Sequence, residues 1–589
     1  MNMLNEPGLL ISGTTRPSSL LTDNLPLLAG APNGIQKLRE LILELAVRGK
    51  LVPQDPSDEP ASELLKQIAT EKALLIAEGK IKAPKLLKSV NSEEKLFELP
   101  SGWEWSRLGE VSTYIQRGKG PSYVESSTFK VISQKCVRWA GLDLLPARCI
   151  DPLSLEKYEA IRFLCKGDLL WNSTGTGTIG RACIVEDVGD QPLVVDSHVT
   201  IVRPTGLISK FLWRWIQSPS VQDSISGSAS GTTNQIELNT STVISYLIPV
   251  PPLAEQHRIV AKVDELMALC DRLEAQQADA ESAHARLVQA LLDSLTQASD
   301  ADDFAASWQR LAKHFHTLFT TESSIDVLKQ TLLQLAVMGK LVPQDPSDEP
   351  AAELLERIAE EKARLVEQGK SKKQKPLAEI SDDEPPYAVP DNWVWSRIGE
   401  LAISTEYGLS EKTSELKDGV PVLKMGDIQS GRVVLGGQMK VPRQTEGLPG
   451  LFLEPGDLLY NRTNSAELVG KTGVFLGGAQ EYTFASYLIR IRCPKKLFSP
   501  AYLNLSMNAP SFREFQINPH LKQQCGQANV NGTIMKNMLV SVPPLAEQYR
   551  IVTKVEQLMA LCDQVKAHIG QIQQIQGHLS NALVEQAVA

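Results

Sequence analysis

The glycine-rich segment at residues 174–180 is the part of this 589-residue sequence that most resembles a site of chemistry. It has the sequence TGTGTIG and matches GxGxxG, in which glycines let the backbone approach a dinucleotide or S-adenosylmethionine. Such a site requires a helix to begin at the last glycine, so that helix N–H groups face the ligand. The following residues, RACIVEDVG, instead predict a strand that ends in a turn. We therefore interpret the segment as a turn or an exposed loop.

Other motifs for catalysis are incomplete. Val469-Gly-Lys-Thr472 resembles the end of a phosphate-binding loop, but Ser465 stands where its first glycine should be. An Asp/Asn-Pro-Pro-aromatic sequence, which amino-methylating enzymes use to hold a flipped base, is absent from both divergent middle segments. Asp383-Glu-Pro-Pro-Tyr387 approaches it but lies in a charged linker. We find no Cys/His ligand spacing and no repeated carboxylate cluster, so the sequence predicts no catalytic and no metal-binding residues.

Composition indicates a globular protein of several domains, with 42% hydrophobic and 22% charged residues. The formal net charge is −9, but it is unevenly distributed. Residues 101–250 carry 14 basic and 14 acidic side chains, and residues 391–542 carry 16 and 13. The acidity therefore lies elsewhere, and because local basic faces govern polyanion binding, net charge does not exclude such a partner.

The eight cysteines show no CxxC pairing, which is typical of reduced thiols in a cytoplasmic protein. The first 34 residues lack a basic start followed by an apolar stretch, so we expect no signal peptide. No run of 18 apolar residues occurs, so we expect no membrane span.

The chain contains a long internal repeat. Gly49–Ala61 (GKLVPQDPSDEPA) recurs letter for letter at Gly339–Ala351. The openings WEWSRLGE at 103–110 and WVWSRIGE at 393–400 keep the same offset of 290 residues. PPLAEQHRIVAKVDELMALCD at 251–271 and PPLAEQYRIVTKVEQLMALCD at 543–563 agree at 17 of 21 positions. The middles, 110–247 and 400–539, diverge, which predicts one scaffold built twice with two different heads.

The repeated scaffold is predicted to be helical. Helices are expected at about 35–48, 60–79, 325–338 and 350–369, with two long helices at 253–297 and 545–589. In both long helices apolar residues alternate at spacings of four and three, which indicates a coiled-coil seam. The seam residues are Ile259, Val263, Leu266, Cys270, Leu273, Ala280, Leu287 and Leu291, then Ile551, Val555, Leu558, Cys562, Val565, Ile569, Ile572, Leu579 and Leu583. A helix of about 40 residues spans roughly 60 Å.

The divergent middles have short strand-like runs set among Gly, Ser, Pro and Asn. Asp168–Asn172, Leu193–Val195 and Val199–Arg203 are predicted strands, and Ser209–Gln217 is a predicted helix. Each middle therefore predicts an α+β head of about 150 residues carried by helices.

The repeated segments resemble the conserved regions of type I restriction–modification DNA-specificity subunits. PPLAEQxRIV, the WxWSRxGE openings and GKLVPQDPSDEPA occur twice in that family's order, and the resemblance covers about residues 35–589. Ser230–Gln235 and Ala528–Thr533 resemble the family's usual head endings. The extra N-terminal helical segment is similar to the longer enterobacterial A (type IB) family.

The resemblance implies an α+β fold with two α/β target-recognition domains on long antiparallel coiled-coil helices, related by an internal pseudo-twofold repeat. The implied regions are a tail at 1–34, helical region 35–99, head 1 at 100–252, helical spacer 253–389, head 2 at 390–544 and helical region 545–589.

The function implied by the resemblance is non-catalytic reading of double-stranded DNA. Each head would read one half of a bipartite site, and the helices would set the spacer; half-sites on one face lie about 34 Å apart. Two modification subunits would bring S-adenosylmethionine and methylate adenine N6, and restriction subunits would use ATP and Mg²⁺ to translocate and cleave. No cofactor is expected on this chain.

Candidate DNA contacts follow from the chemistry of base edges and phosphates, which require short polar or forked donors on loops. In head 1 they are Arg117 and Lys119 for phosphate, and Gln134, Lys135, Arg138, Asn172, Ser173 and Thr174. In head 2 they are Tyr407, Ser410, Lys412, Lys424, Asp427, Gln429, Asn461, Arg462 and Thr463. For each residue alone, an ordinary turn or surface position is an equal alternative.

Two other functions remain open on the sequence. One is a self-sufficient methyltransferase with its own target domains, which the missing cofactor and base-holding motifs disfavour. The other is a free-standing scaffold or regulator whose coiled coil serves another assembly.

Overall fold

The computed structural model describes residues 27–83, 87–156, 158–228, 237–521, 523–524 and 527–588. The predicted head ending at Ser230–Gln235 lies outside these residues. Of the described residues, 27–280 and 572–588 form one compact unit, unit 1, and 281–571 form a second, unit 2. Helices and sheets both occur, which confirms the mixed α and β class of the prediction.

Unit 1 begins with a pair of helices, α1 (Gly34–Val47) and α2 (Ala61–Ala77). In α1 the buried residues Leu38, Leu41 and Leu45 recur at helical spacing, so one stripe faces the core. Residues 27–30 are also helical and Leu28 is buried, so the described end of the predicted tail packs on the core.

The glycine after α1 explains part of the exact repeat. Gly49 has a φ of 67°, and a Cβ there would come within 2.5 Å of Pro100. Gly339 of unit 2 has a φ of 73°, and a Cβ would come within 2.6 Å of Pro390. Because only glycine tolerates both the left-handed backbone and the close approach, this position is fixed in both copies.

Head 1 is built from short strands and helices. The strands are β1 (Glu104–Arg107), β2 (Ser112–Arg117), β3 (Lys130–Ile132), β4 (Val137–Arg138), β5 (Gly141–Leu142), β6 (Arg148–Cys149), β7 (Leu169–Asn172), β8 (Ala182–Ile184), β9 (Val194–Val195), β10 (Val199–Pro204) and β11 (Leu247–Val250). The helices are α3 (Pro152–Leu155), α4 (Ser209–Gln217), α5 (Pro219–Ser228) and α6 (Thr240–Ser245), with a 3-10 turn at Ala160–Arg162 and another before the head at Ser92–Glu94.

The main sheet of head 1 has the antiparallel order β2-β10-β7-β8. A second sheet has the order β6-β3-β9, β4 pairs with β5, and β1 pairs with β11 where the head joins the scaffold. The sheet's inner face packs on α4, whose Phe211, Leu212, Trp215 and Ile216 are buried.

The long helix α7 (Leu253–Thr296) follows head 1, and its second part belongs to unit 2. Unit 2 continues with α8 (Ala301–Lys313), α9 (Phe315–Leu318), α10 (Glu322–Val337) and α11 (Ala351–Glu367). Helices α10 and α11 match the predictions at 325–338 and 350–369, whereas α8 and α9 were not anticipated.

Head 2 has a similar set of elements. Its strands are β12 (Val394–Arg397), β13 (Ser404–Tyr407), β14 (Val420–Leu423), β15 (Ile428–Gln429), β16 (Arg432–Val433), β17 (Lys440–Val441), β18 (Leu458–Asn461), β19 (Thr463–Asn464), β20 (Thr472–Val474), β21 (Thr483–Phe484), β22 (Leu488–Arg492), β23 (Gln523–Gln524), β24 (Gln527–Asn529) and β25 (Leu539–Val542). Its helices are α12 (Ile398–Leu401), α13 (Pro500–Asn508) and α14 (Gly532–Asn537), with a π-helix at Phe512–Ile517 and 3-10 turns at Met425–Asp427, Leu448–Leu451 and Asn518–His520.

The main sheet of head 2 has the order β13-β22-β18-β20-β16-β15. Smaller sheets have the orders β17-β14-β21 and β19-β24-β23, and β12 pairs with β25. The chain ends in a second long helix, α15 (Leu545–Val588), whose last part belongs to unit 1.

The long helices follow the predicted seam only in part. Ile259, Val263 and Cys270 are buried in unit 1, and Ile551, Val555 and Cys562 are buried in unit 2. Ala280 and Leu287 of α7 and Ile572 and Leu579 of α15 are exposed, so the seam prediction is wrong at these four positions. Every residue of the stretch 274–283 in α7 is exposed to solvent.

Candidate nucleic-acid interface

Head 1 is held on its helices by a buried carboxylate. Glu255, at the start of α7, accepts hydrogen bonds from Trp103 Nε1 at 2.9 Å and Gln54 Nε2 at 2.9 Å. One turn later, Arg258 forms an ion pair with Asp58 at 2.5 Å. Burial raises the pKa of the Glu255 carboxyl, and the hydrogen bonds from Trp103 and Gln54 oppose this. The repeated motifs therefore join the head, the turn after α1 and the long helix at one point.

Head 2 is held by the same set of contacts. Glu547 accepts from Trp393 Nε1 at 3.0 Å and from Gln344 Nε2 at 2.6 Å. Arg550 pairs with Asp348 at 2.6 Å. Burial likewise raises the pKa of the Glu547 carboxyl. The letter-for-letter repeat thus encodes one attachment built twice.

A second matched attachment comes from the N-terminal helix pairs. Lys72 of α2 donates to the carbonyl oxygens of Gly109 at 2.7 Å and Glu110 at 2.9 Å. Lys362 of α11 donates to the corresponding carbonyl oxygens, at 2.8 Å and 2.9 Å. Burial lowers the pKa of both lysines. Because backbone oxygens are the acceptors, this attachment does not depend on the side chains of the head.

The interior of each head also carries a matched ion pair. Asp168, at the start of β7, is completely buried and receives a two-point contact from Arg203 of β10, with both distances 2.7 Å. Asp457 and Arg492 form the same contact in head 2, at 2.7 and 2.6 Å. These contacts fix the register of the central strand pair in each head.

The opposite end of the sheet in head 1 is polar and open to solvent. Thr174, after β7, places its Oγ1 at 2.7 Å from His198 Nδ1, and His198 itself is exposed. Arg117, the last residue of β2, forms an ion pair with the Glu237 carboxylate. Beneath the histidine, the buried Asp196 accepts from the His198 backbone N–H at 2.9 Å, and burial raises its pKa. The sheet end thus brings together a hydroxyl, an imidazole, a guanidinium and a carboxylate, of which the Arg117 guanidinium is half-buried, with its Nε and Nη2 atoms enclosed.

The same sheet end in head 2 carries a different set of groups. The guanidinium of Arg462 lies over the Tyr407 ring, 5.0 Å from its centroid, and Tyr407 is 46% exposed. Arg462 Nη1 and Thr463 Oγ1 donate to Asn529 Oδ1 at 3.4 and 3.3 Å. Tyr487 lies beside them and is 44% exposed. Aromatic faces, a guanidinium and a carboxamide are suited to reading bases and contacting phosphate.

A hairpin turn near each sheet end is also exposed. In head 1, Arg138 and Gly141 pair across a turn that contains the exposed Trp139. In head 2, Gln429 and Arg432 pair across a turn whose residues both have positive φ. The predicted Arg138 and Gln429 therefore occupy equivalent hairpin positions.

Three of the predicted contact residues are corrected by the structure. Asn172 is completely buried and donates to the Gln134 carbonyl oxygen at 3.1 Å. Ser173 is also completely buried and contacts Thr200 Oγ1. Asn461 is 2% exposed and donates to the Leu468 carbonyl oxygen at 3.1 Å. Their side chains brace loops from within, so they cannot reach a DNA surface.

Two other predicted residues are occupied by contacts inside head 2. Asp427 accepts from the Lys424 backbone N–H at 2.6 Å and from Gln438 Nε2 at 3.0 Å. Lys424 Nζ donates to Thr413 Oγ1 at 2.9 Å. In head 1, Gln134 is half-buried and accepts from Thr178 at 3.2 Å. These three residues hold loops in place.

The remaining predicted residues lie at the surface. Lys119 and Lys135 of head 1 are exposed, and so are Ser410 and Lys412 of head 2. Arg138, Tyr407 and Gln429 are exposed as well, whereas Arg117, Thr174, Arg462 and Thr463 are half-buried. All of these residues together form the accessible part of the predicted set.

Sequence reasoning missed His198 and Glu237 in head 1 and Tyr487 and Asn529 in head 2. Each lies far along the chain from the loop that it contacts or adjoins, and strand pairing brings them together. Aligning the two copies by strand rather than by identical letters would have identified them.

The glycine-rich turn at residues 174–180 is followed by β8, as the sequence predicted. Gly175, Gly177 and Gly180 have φ values of 100°, 79° and 83°, which a tight turn requires. Because no helix begins there, the geometry of a dinucleotide site is not formed.

Within the described residues, no group of three or more His, Cys, Asp or Glu side chains is arranged to hold a metal ion. None of the helices in the same part of the chain is both long and apolar enough to cross a membrane.

Two heads with divergent polar surfaces on duplicated helical attachments define a two-headed recognition protein. The family model "Type I restriction modification DNA specificity domain" matches residues 100–281 and 390–576. The chain belongs to the family of type I restriction–modification DNA-specificity proteins.

Two relatives from Escherichia coli agree with the family assignment. The type I restriction enzyme EcoEI specificity subunit of Escherichia coli is 36% identical, and the alignment covers 94% of each chain. The EcoAI specificity subunit of Escherichia coli is 35% identical over the same shares. A crystal structure of the HsdS subunit from Thermoanaerobacter tengcongensis is 19% identical and covers 84% of this chain and 98% of that chain, with a TM-score of 0.41.

Proposed function

We propose that this chain is the DNA-specificity subunit of a type I restriction–modification enzyme, in which head 1 and head 2 each read one half of a bipartite double-stranded DNA site. One observation carries the proposal. The contacts that attach and brace the two heads are matched, whereas the exposed sheet ends differ in chemistry. Two equivalent attachments that carry heads with different surfaces suit a DNA site whose two halves differ in sequence.

The helices are proposed to act as the antiparallel coiled-coil scaffold of a pseudo-twofold repeat that sets the spacer. Within unit 1, Lys50 donates to the Val588 carbonyl oxygen at 2.9 Å, so the end of α15 packs beside α1. Within unit 2, Lys340 donates to the carbonyl oxygens of Thr296 at 2.8 Å and Ala298 at 2.9 Å, beside α10. The two long helices therefore end in matching contacts, which supports the repeat.

The domain bounds 100–252 and 390–544 are proposed for the two target-recognition domains. Their DNA-facing residues are proposed to be the accessible set above, with Arg117 and Lys119 contacting phosphate in head 1. Phosphate contacts fix register, and contacts with base edges give specificity.

The chain is proposed to be non-catalytic and cytoplasmic, and to bind no cofactor of its own. Two modification subunits would carry S-adenosylmethionine and methylate adenine N6, one in each half-site. Restriction subunits would bind ATP and Mg²⁺ and cleave unmodified DNA.

The proposal is tested by sequencing the methylome of the host with and without this gene. We expect adenine methylation at one split motif to disappear when the gene is deleted and to return when it is restored. A methylome that does not change would contradict the proposal.

A second experiment separates the proposal from a self-sufficient methyltransferase. The purified chain is incubated with radiolabelled S-adenosylmethionine and DNA from the deletion strain, with and without the modification subunits. We expect transfer only when the modification subunits are present; transfer by the isolated chain would identify an enzyme.

A further inference from the structure

The two sheet ends can be compared position by position through their backbone hydrogen bonds. In head 1 the Ser173 N–H donates to the His198 carbonyl oxygen at 2.9 Å, and in head 2 the Arg462 N–H donates to the Tyr487 carbonyl oxygen at 3.0 Å. His198 and Tyr487 therefore occupy one and the same position of the fold.

A second pair of bonds extends the comparison. Leu238 N–H donates to the Ser173 carbonyl oxygen at 2.7 Å, and Val530 N–H donates to the Arg462 carbonyl oxygen at 2.9 Å. The residues just before them, Glu237 and Asn529, are thereby equivalent.

The guanidiniums show how the two ends are related. Arg117 of the edge strand β2 is paired with Thr200 of β10, and Tyr407 of the edge strand β13 is paired with Ile489 of β22, at equivalent places of the two heads. Head 2 has a tyrosine where head 1 has Arg117, yet it supplies Arg462 from the position just after β18.

Both guanidiniums reach the same place. Arg117 contacts Glu237, and Arg462 contacts Asn529 at 3.4 Å. The end of strand β2 in head 1 and the residue that follows β18 in head 2 thus deliver one positive, forked donor to one position of the fold, which indicates that both heads need it there.

Around this shared donor, the neighbouring side chains differ. Position 198/487 is an imidazole in head 1 and a phenol in head 2, and position 237/529 is a carboxylate in head 1 and a carboxamide in head 2. The threonines Thr174 and Thr463 are the same in both heads and contact these neighbours. The groups that are the same in both heads are suited to anchoring the DNA and orienting their neighbours, and the groups that differ are suited to discriminating between bases.

We propose that this sheet end is the base-reading edge of each head, with Arg117 and Arg462 as equivalent DNA anchors and with positions 198/487 and 237/529 determining which bases each head selects. The inference rests on the proposed function and adds to it the residues that make the two half-sites different.

The chemistry of the variable positions fits this role. A carboxylate accepts from the cytosine amino group, whereas a carboxamide pairs with adenine in the major groove. Because Thr174 contacts the Nδ1 atom of His198, the Nε2 atom is the ring nitrogen that remains to bond to a base, and the Tyr487 hydroxyl can both donate and accept. The same backbone arrangement can therefore present two different patterns of hydrogen-bond donors and acceptors.

The test uses the full chain with its modification subunits, expressed in a host that lacks adenine methylation, with the host genome as the DNA probe. The variants are His198→Gln and Glu237→Gln in head 1, and Tyr487→Phe and Asn529→Ala in head 2. All four residues lie at the sheet end and outside the buried core, so folding is expected to be retained.

Matched controls are available at the opposite end of the same sheets. Val185 and Phe475 make equivalent backbone bonds to the carbonyl oxygens of Asp168 and Asp457, so the exposed residues that follow them, Glu186 and Leu476, are equivalent. Glu186→Gln and Leu476→Ala are expected to leave the methylated motif unchanged.

We expect each head 1 variant to relax selectivity roughly 5- to 100-fold at one or two adjacent base pairs of one half-site, and to leave the other half intact. The head 2 variants are expected to do the same in the other half only. An unchanged motif with all four variants, or equal relaxation of both halves, would overturn the inference. A wild-type chain that directs no methylation to a split site would instead overturn the proposed function.

The anchors give a second and separable readout. Arg117→Ala and Arg462→Ala are expected to reduce methylation of the whole site and to weaken the dependence of binding on salt, because each removes a positive DNA contact. Binding that keeps the wild-type salt dependence would show that these guanidiniums serve only to brace the head.

Discussion

The main sheet of head 1 ends at β8, whereas the main sheet of head 2 has two further strands, β16 and β15, beyond the corresponding strand β20. The four strands that correspond, β2-β10-β7-β8 and β13-β22-β18-β20, keep one order in both heads. The interior ion pairs Asp168–Arg203 and Asp457–Arg492 are also the same. The heads therefore differ at the sheet edges and at the exposed sheet end, whereas the order of the four corresponding strands and the interior ion pair are the same in both.

The largest expected effect comes from replacing a whole reading surface. Residues 110–247 are exchanged for the corresponding segment of another member of the family. Because Lys72 contacts backbone oxygens at the border, the attachment should survive the exchange. Since specific sites are bound roughly 10³- to 10⁷-fold more tightly than non-specific DNA, the original half-site should cease to be selected. Methylome sequencing should show one new half-site and one unchanged half-site; two changed halves would refute separate reading by the heads.

The next largest effect is expected from two substitutions that compare how much each attachment contributes to stability. Trp103→Ala and Trp393→Ala each remove a nearly buried indole that bonds to Glu255 or Glu547. We expect each to lower the free energy of unfolding of its own unit by about 3–5 kcal/mol. Urea titration followed by hydrogen exchange of peptides from each unit measures this loss.

The control for these substitutions is Trp139→Ala, because Trp139 is 38% exposed in the hairpin of head 1. It should change stability by less than about 0.5 kcal/mol. If the two substitutions lowered the free energy of unfolding by amounts that differ by more than the experimental error, the two attachments would not contribute equally to stability.

The sequence predicted the helices well because the repeated apolar pattern and the capping glycines are local signals. The long helices were expected at 253–297 and 545–589 and occur at Leu253–Thr296 and Leu545–Val588. The seam failed at Leu287 and Ile572 because periodicity indicates which face is apolar, but it cannot show whether a neighbour covers that face.

The site was predicted less well, for two physical reasons. A polar residue at a strand end, such as Asn172 or Asn461, has the same sequence signal whether it faces solvent or bonds to buried carbonyl oxygens. His198 meets Thr174 only because strand pairing joins segments 24 residues apart. Register between strands depends on turn geometry and on which face of each strand is buried, and the residues at the strand ends alone do not reveal it.

A smaller effect is expected from changing the length of the helical scaffold. Four residues are inserted near Ala278, in the exposed stretch 274–283 of α7. One extra turn adds roughly 5–6 Å along the helix, which corresponds to one or two base pairs. If this helix sets the spacer, methylome sequencing should show a longer spacer and unchanged half-sites.

Two companion variants make this result decisive. Replacing residues 279–282 by alanines keeps the helix length and should leave the spacer unchanged. Because α15 also passes from one unit to the other, a matching insertion near residue 574 is combined with the first. An unchanged spacer in both insertion variants, with full activity, would show that the helices do not act as a ruler, since the added turn is then absorbed locally.

The smallest expected effect concerns pH and the two buried carboxyls of the attachments. Burial raises the pKa of Glu255 and Glu547 above the ordinary value of 4.5. The folded state therefore holds protons that the unfolded chain releases, so this contribution to stability is present below pH 4.5 and is lost as pH rises through the folded pKa. Glu255→Gln and Glu547→Gln cannot release a proton, so their Tm should fall less than that of the wild type as pH rises from 4.5 to 7. Calorimetry across this range measures the difference in the slope of Tm against pH, with a substitution at an exposed residue, Glu186→Gln, as the control.

The two variants, Glu255→Gln and Glu547→Gln, should match each other, because Trp and Gln donors surround both carboxyls alike. A wild type that gains stability over this range relative to both variants would mean that the hydrogen bonds outweigh burial at these carboxyls.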